Sequence, residues 1–293
     1  MAEITAQAVN EFRKRTGLGL MECKNLLKEA DGDLKKAETL AKERGLKNAE
    51  KRAGRAATAG RVDVFLSPDA KLGALIELGC ETDFVARNDE FRQASKDLAE
   101  HVAHSPEGET LDQPYHKDAS KTIRQLLIEL NARTGENVTL VRKARFQVTG
   151  SGRVDSYIHH DAKSGAMVEV STPDDATANS EAVKALLKDL ALHVVAIKPA
   201  TTSREEVPQA VVDEQKRIIA AQMENDPANA KKPEQIREKI AEGKLNTWFG
   251  ENVLPEQAFV KDPAKKVKDV VAAAGKGIEV KRFARFVVGE AAE

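Results

Sequence analysis

Between Ile4 and Leu40 apolar side chains return every three or four residues: Ile4, Val9, Phe12, Leu20, Cys23, Leu26, Leu27, Leu34, Ala37 and Leu40. Such spacing puts them on one face of successive helices, which can gather into a small core. The segments ITAQAVNEFRKRTG, LMECKNLLKEADG and DLKKAETLAKERG therefore predict three helices. Thr5 and Asp33 are placed to cap the first and third, because their short side-chain oxygens satisfy N–H groups that a helix start leaves unpaired. Gly17, Gly32 and Gly45 stand where the helices are expected to stop. Residues 1–46 read as a three-helix N-terminal domain.

The periodicity then lapses. Residues 47–60 are rich in Ala, Gly, Lys and Arg and read as a linker. Lys47, Lys51, Arg52, Arg55 and, just beyond, Arg61 offer either an RNA-binding strip or a solvated connector.

The pattern resumes as a duplication. Residues 60–102 align without a gap to residues 152–194, with about 18 of the 43 positions identical. Each copy begins GRVD, crosses a turn at Asp69-Ala70 or Asp161-Ala162, continues through a β-branched and apolar run, and ends in an amphipathic helical stretch. Each is therefore expected to fold as a β-hairpin followed by a helix. SKTIRQLL at 120–127 resembles AKKVKDVV at 264–271, and VRKARFQV at 141–148 resembles KRFARFVV at 281–288. Each half thus closes with a further helix and a third strand.

Only the second half is interrupted. VPQAVVDEQKRIIAAQM and PEQIREKIAEGKLNTWF carry helical patterns separated by Asp226-Pro227 and Lys231-Lys232-Pro233. Proline breaks the helix there, so residues 201–250 read as a projecting helical hairpin. The fold class expected is α+β: the three-helix domain, core subdomain 1 over 61–150, the first part of core subdomain 2 over 151–200, the inserted hairpin, and the completion of subdomain 2 over 251–293. Small antiparallel sheets belong to the duplicated core.

Composition narrows the function. The chain has 293 residues, 32% of them charged and 4% aromatic, with Lys plus Arg 46 against Asp plus Glu 47. A net charge of -1 lacks the basic excess of a dedicated nucleic-acid binder. Cys23 and Cys80 have no neighbour at zinc-site or disulfide-framework spacing. No apolar run approaches the roughly 20 residues needed to span a bilayer. The opening MAEITAQAVNEFRKR is too polar for a signal peptide. A cytoplasmic location, with no membrane and no cofactor, is the expectation.

Few side chains point to chemistry. His101 and His193 occupy equivalent places in the two copies, which favours inherited packing over catalysis. His159, His160 and Asp161 sit in a predicted hairpin turn without further ligands nearby, leaving a metal site or an enzyme as a remote reading. Cys80 lacks a visible Cys-His-Asn arrangement. AAGKGI at 273–278 lacks the spacing and the Ser or Thr of a phosphate loop.

The most informative string is Glu81 to Asn88, ETDFVARN, between a strand and the helix that Asn88 can cap. Where the first copy has Thr82, Asp83, Phe84 and Val85, the second has Asp174, Asp175, Ala176 and Thr177. The scaffold does not itself demand an aromatic there. Phe84 and Val85 either fold down onto the sheet or stand out as a recognition finger.

TDFVARN, the opening ITAQAVNEFRKRTGLGLMECK, the segment LALHVVAIKP, the insertion and the ending RFARFVVGE together resemble the elongation factor Ts family over nearly the whole chain. The resemblance implies that the first domain is ubiquitin-associated-like and that the inserted hairpin is a coiled coil, a dimerisation element in some members. It implies guanine-nucleotide exchange on elongation factor Tu, with no catalysis of its own. Thr82, Asp83, Phe84 and Val85 would match the segment that dislodges magnesium from that GTPase, with Phe84 as wedge. Arg13, Leu20 and Met21 fall on secondary partner positions; read from residues alone, Arg13 belongs to a solvated helix face and the two apolar residues to the small-domain core.

Overall fold

A computed structural model describes residues 4–290 except Glu107 and Lys231, with the side chains of Pro227 and Ala230 also outside the description. Helices α1 (Ala6–Thr16), α2 (Leu20–Glu29) and α3 (Leu34–Arg52) come first. Thr5 Oγ1 accepts the Ala8 N–H at 3.2 Å, and Asp33 Oδ1 accepts the N–H groups of Lys35 and Lys36 at 2.8 and 3.1 Å. Gly17, at φ 71, turns the chain out of α1 in a left-handed conformation that costs glycine little. Phe12, Cys23, Leu26, Leu27 and Ala37 are fully enclosed between the three helices. Leu20, expected in that core, lies outside it; Leu18 takes the place instead.

The first repeat comprises β1 (Ala59–Leu66), β2 (Leu72–Cys80), the four-residue α4 (Asp83–Ala86), α5 (Asp89–His104), a small hairpin of β3 (Pro114–Tyr115) and β4 (Asp118–Thr122), α6 (Ile123–Thr134) and β5 (Thr139–Gln147). The second repeats the order with β6 (Gly152–Ile158), β7 (Ser164–Ser171), α7 (Asp175–Ala178) and α8 (Glu181–Ile197). Then come α9 (Gln209–Glu224), α10 (Pro227–Ala230) and α11 (Glu234–Asn252) of the insertion. The repeat finishes with a 3₁₀ turn (Leu254–Glu256), β8 (Ala258–Phe259), β9 (Asp262–Lys266), α12 (Val267–Ala274) and β10 (Glu279–Val287). This is the α+β class expected, with small antiparallel sheets.

Both three-stranded sheets put the second strand of the hairpin in the middle, in the orders β1-β2-β5 and β10-β7-β6. The sheets face each other. Val62, Leu75 and Phe146 of one meet Val154, Met167 and Phe286 of the other, the same three duplicated positions from each half. The approach is close: a Cβ on Gly73 would fall 2.7 Å from Met167 Sδ, so a larger residue there would have to displace that side chain. The outer faces are covered by helices: Phe91 and Leu98 of α5 on Ile76 and Leu78, and Leu187 and Leu190 of α8 on Val168 and Val170. Burial from both sides explains why β2 reads as a nearly unbroken apolar run rather than an alternating one.

Backbone bonds lock the halves reciprocally. The turns place Ala70 and Ala162 at φ 53 and 55. The carbonyl of Ala162 accepts the Val62 N–H at 2.7 Å, and that of Ala70 accepts the Val154 N–H at 2.9 Å.

Two expectations change. The predicted stop at Gly45 does not occur, and α3 runs on to Arg52, through residues read as linker. Gly45 is buried against α6, where an added Cβ would sit 3.5 Å from Ile128 Cγ2. Arg52 donates to the Asn131 carbonyl at 2.8 Å. Packing on α6 thus outweighs a weak helix propensity. The hairpins β3–β4 and β8–β9 are additions, too short and too polar to leave a periodic signal.

His101 and His193 hold those hairpins. His193 Nδ1 accepts the Val260 N–H at 3.2 Å while Nε2 faces Gln257 Oε1 at 2.8 Å; His101 makes the same contacts with the His116 N–H and Gln113 at 3.4 and 3.2 Å. Both are packing residues, as their paired positions suggested.

The inserted hairpin joins α9 to α11 antiparallel, with Val212, Ile219 and Met223 turned inward. Val211, Ile218 and Ile236 remain exposed on it.

Candidate functional site

The loop after β2 begins with Glu81, and Thr82 opens α4 by accepting the Val85 N–H on Oγ1 at 3.4 Å. Ala86 is buried, Val85 packs partly onto the first core, and Asn88 caps α5 by accepting the Glu90 N–H at 2.8 Å. One turn of helix is thereby anchored at its end and along one face. The opposite face carries Phe84, which is 88% exposed. An aromatic side chain standing almost wholly in water buries no apolar surface and so adds little to folding. Of the two orientations left open, the Phe84 side chain takes the outward one, while Val85 folds down onto the core.

Glu136, in the turn after α6, reaches this segment. Its Oε2 accepts the N–H groups of Glu81 and Thr82, each at 3.0 Å, and its Oε1 accepts the Thr82 hydroxyl at 2.6 Å. In return Glu81 Oε1 accepts the Asn137 N–H at 2.7 Å. Asp83 pairs with Lys163 from the turn of the second copy at 3.0 Å. The duplicate does the same, with Asp175 on Lys71 at 2.7 Å.

Glu136 and Lys163 escaped the sequence reading. Comparing the copies would have flagged Glu136, since Lys276 occupies its place in the second.

Leu20 and Met21, at the start of α2, are 49% and 64% exposed, and Arg13 is exposed on α1. These apolar residues are surface, not core. The three-helix unit is tied to the first repeat beside them, because Arg133 Nε donates to the Thr16 carbonyl at 3.2 Å and its guanidinium pairs with Glu90 at the start of α5.

The remaining candidates are occupied structurally. His159 Nδ1 pairs with Asp161 within its own turn at 3.0 Å. Among the described residues no three His, Cys, Asp or Glu side chains gather to hold a metal. Cys80 is buried beside Glu136, and burial first, then that negative charge, pushes its thiol up to about 12, far from a nucleophile's range. In the basic stretch Arg55 pairs with Glu81 and Arg61 with Asp63. Among the described residues no helix is long and apolar enough to cross a membrane.

Residues 81–290 match the sequence profile of the family described as Elongation factor TS. Proteins named elongation factor Ts resemble the chain along its whole length. The one from Trichlorobacter lovleyi is 40% identical, over 99% of this chain and 94% of its own. That of Aquifex aeolicus is 37% identical over 98% of each, and that of a Nostoc species 39% identical over 100% of this chain and 95% of its own. The molecule is therefore a translation elongation factor, a component of protein biosynthesis. It belongs to the elongation factor Ts family.

Proposed function

We propose that this chain is a guanine-nucleotide exchange factor: it binds elongation factor Tu in its GDP-bound form and drives release of the nucleotide in the cytoplasm. The observation that carries the reading is the exposed Phe84 on a pinned turn of helix, where the duplicated scaffold has Ala176. A lone aromatic on a rigid support inserts into a partner's pocket with little ordering cost.

Exchange of this kind needs no bond made or broken, and the chain acts as a binding partner rather than an enzyme. A protein that binds the empty GTPase more tightly than the GDP-bound one must weaken GDP by the same factor. Magnesium bridges the phosphates and the GTPase, so moving the elements that coordinate it removes a large electrostatic stabilisation of the diphosphate. Phe84 is the wedge, Thr82 and Asp83 fix its base, and Val85 seats the turn on the core. Arg13, Leu20 and Met21 form a second contact. Val211, Ile218 and Ile236 on the inserted hairpin suit a second copy of the chain, making a homodimer.

Release of a fluorescent GDP analogue from elongation factor Tu, with magnesium present, tests this. The unaltered protein should accelerate release and Phe84→Ala should slow that stimulation strongly. Equal stimulation by both removes the wedge, and none by either removes the exchange function.

A further inference from the structure

The two short helices α4 and α7 are products of one duplication, yet they are held differently. Both carry the aspartate-to-lysine pair across the halves, Asp83–Lys163 and Asp175–Lys71, so that pair belongs to the common scaffold. The carboxylate clamp does not. Where the first copy has Glu81, Glu136 and Asn137, the second has Pro173, Lys276 and Gly277. Pro173 has no N–H to donate, and it lies directly over Gly277, where a Cβ would meet its Cγ at 2.8 Å. One copy has an apolar contact at this junction and the other an interlocked pair of carboxylates, each accepting the other segment's backbone N–H. The clamp is confined to the copy whose tip is aromatic.

We infer that Glu136 is a positioning residue for Phe84, holding α4 in the orientation in which the ring meets the GTPase; this rests on the exchange reading above. A four-residue helix cannot sustain itself, because nucleation fixes several residues for very few internal hydrogen bonds. Phe84, being exposed, contributes no packing that would orient it. Its direction is therefore set by the backbone beneath. At the leading edge of that backbone the N–H groups of Glu81 and Thr82 and the Thr82 hydroxyl all donate to one side chain. Hydrogen bonds to a charged acceptor are the stronger kind, and an anion suits a helix start. Loss of the clamp frees the base of the finger, so that in complexes held by the rest of the interface only the ordered fraction presents the ring productively.

The experiment compares Glu136→Ala, Glu136→Lys and Glu136→Gln in the fluorescent GDP release assay, with the unaltered protein and Phe84→Ala alongside. Maximal release should fall about tenfold in the alanine and lysine variants, the worth of one charge-assisted hydrogen bond. The half-saturating concentration should change less, by about threefold or under, since the rest of the interface is intact. Glu136→Gln should keep most of the rate: its carbonyl can still accept both N–H groups, and its amide can donate to Thr82 Oγ1. Amide hydrogen exchange at Glu81 and Thr82 should accelerate in Glu136→Ala and not in Glu136→Gln. If the alanine variant does not fold, Glu136→Lys, which puts the second copy's own residue at that place, is read the same way. A full rate from Glu136→Ala beside a slow Phe84→Ala overturns the inference alone, as does an equal loss in the glutamine and alanine variants. No stimulation by the unaltered protein overturns the exchange reading itself.

Discussion

The guanidinium of Arg282 lies 4.3 Å over the ring centroid of Phe146, across the junction of the two repeats. Its duplicate, Arg142, lies 4.9 Å over Phe286, the duplicate of Phe146. Each arginine also pairs with the glutamate of its own sheet, Arg142 with Glu77 at 2.6 Å and Arg282 with Glu169 at 2.7 Å. Each half thus supplies a cation to the other's aromatic face, and the two sheets are keyed to a single relative placement.

The two arginines should not contribute equally. Glu77 is 1% exposed and shares its charge with Arg142 and the Gly289 N–H, so Arg142→Ala would strand a buried carboxylate. Arg282 is far more open to water. Urea denaturation should give a loss of about 3 kcal/mol for Arg142→Ala and about 1 kcal/mol for Arg282→Ala. Equal losses would mean that burial of the pair does not set its weight.

Acid should loosen the fold through the paired histidines. Burial holds both His101 and His193 below the ordinary imidazole range, more than their glutamine partners raise them. The unfolded chain therefore binds more protons than the folded one as pH falls below the unfolded value near 6.5, and stability present above that value is lost toward acid. Between pH 7.5 and 5.5 each histidine should therefore lower stability. His193→Gln, which stays neutral, should flatten that dependence when stability is measured at both pH values. An unchanged dependence would place the titration elsewhere.

Gly45 sits inside a helix that continues past it, with ordinary contact distance to Ile128 awaiting a methyl group. Gly45→Ala should raise stability by up to about 1 kcal/mol, a rise of about 2 °C in the melting temperature. A lowered melting temperature would show instead that α3 and α6 need the closer approach.

The three N-terminal helices, the duplicated strand-strand-helix order and the inserted hairpin were all legible in the chain, since each depends on side chains a few residues apart. Thr5, Asp33 and Asn88 cap helices as read, because capping is a bond to the next two or three residues. The duplication even supplied the control at position 84, in Ala176. The same comparison, carried to residues 81 and 136, would have disclosed the clamp; it went unread because nothing in the chain says that a turn after α6 meets a loop after β2, 54 or 55 residues earlier.

What the sequence by itself determined is the family, the repeat and the list of local elements, all products of short-range periodicity and of strings held in common. Only the tertiary structure decided that Phe84 stands in water, that Leu20 and Met21 leave the core, that Gly45 is crossed rather than obeyed, and that each repeat's turn bonds the other's first strand. Those outcomes depend on which distant segments share a face. Burial is a property of the assembled surfaces, and a residue's own neighbours along the chain do not carry it.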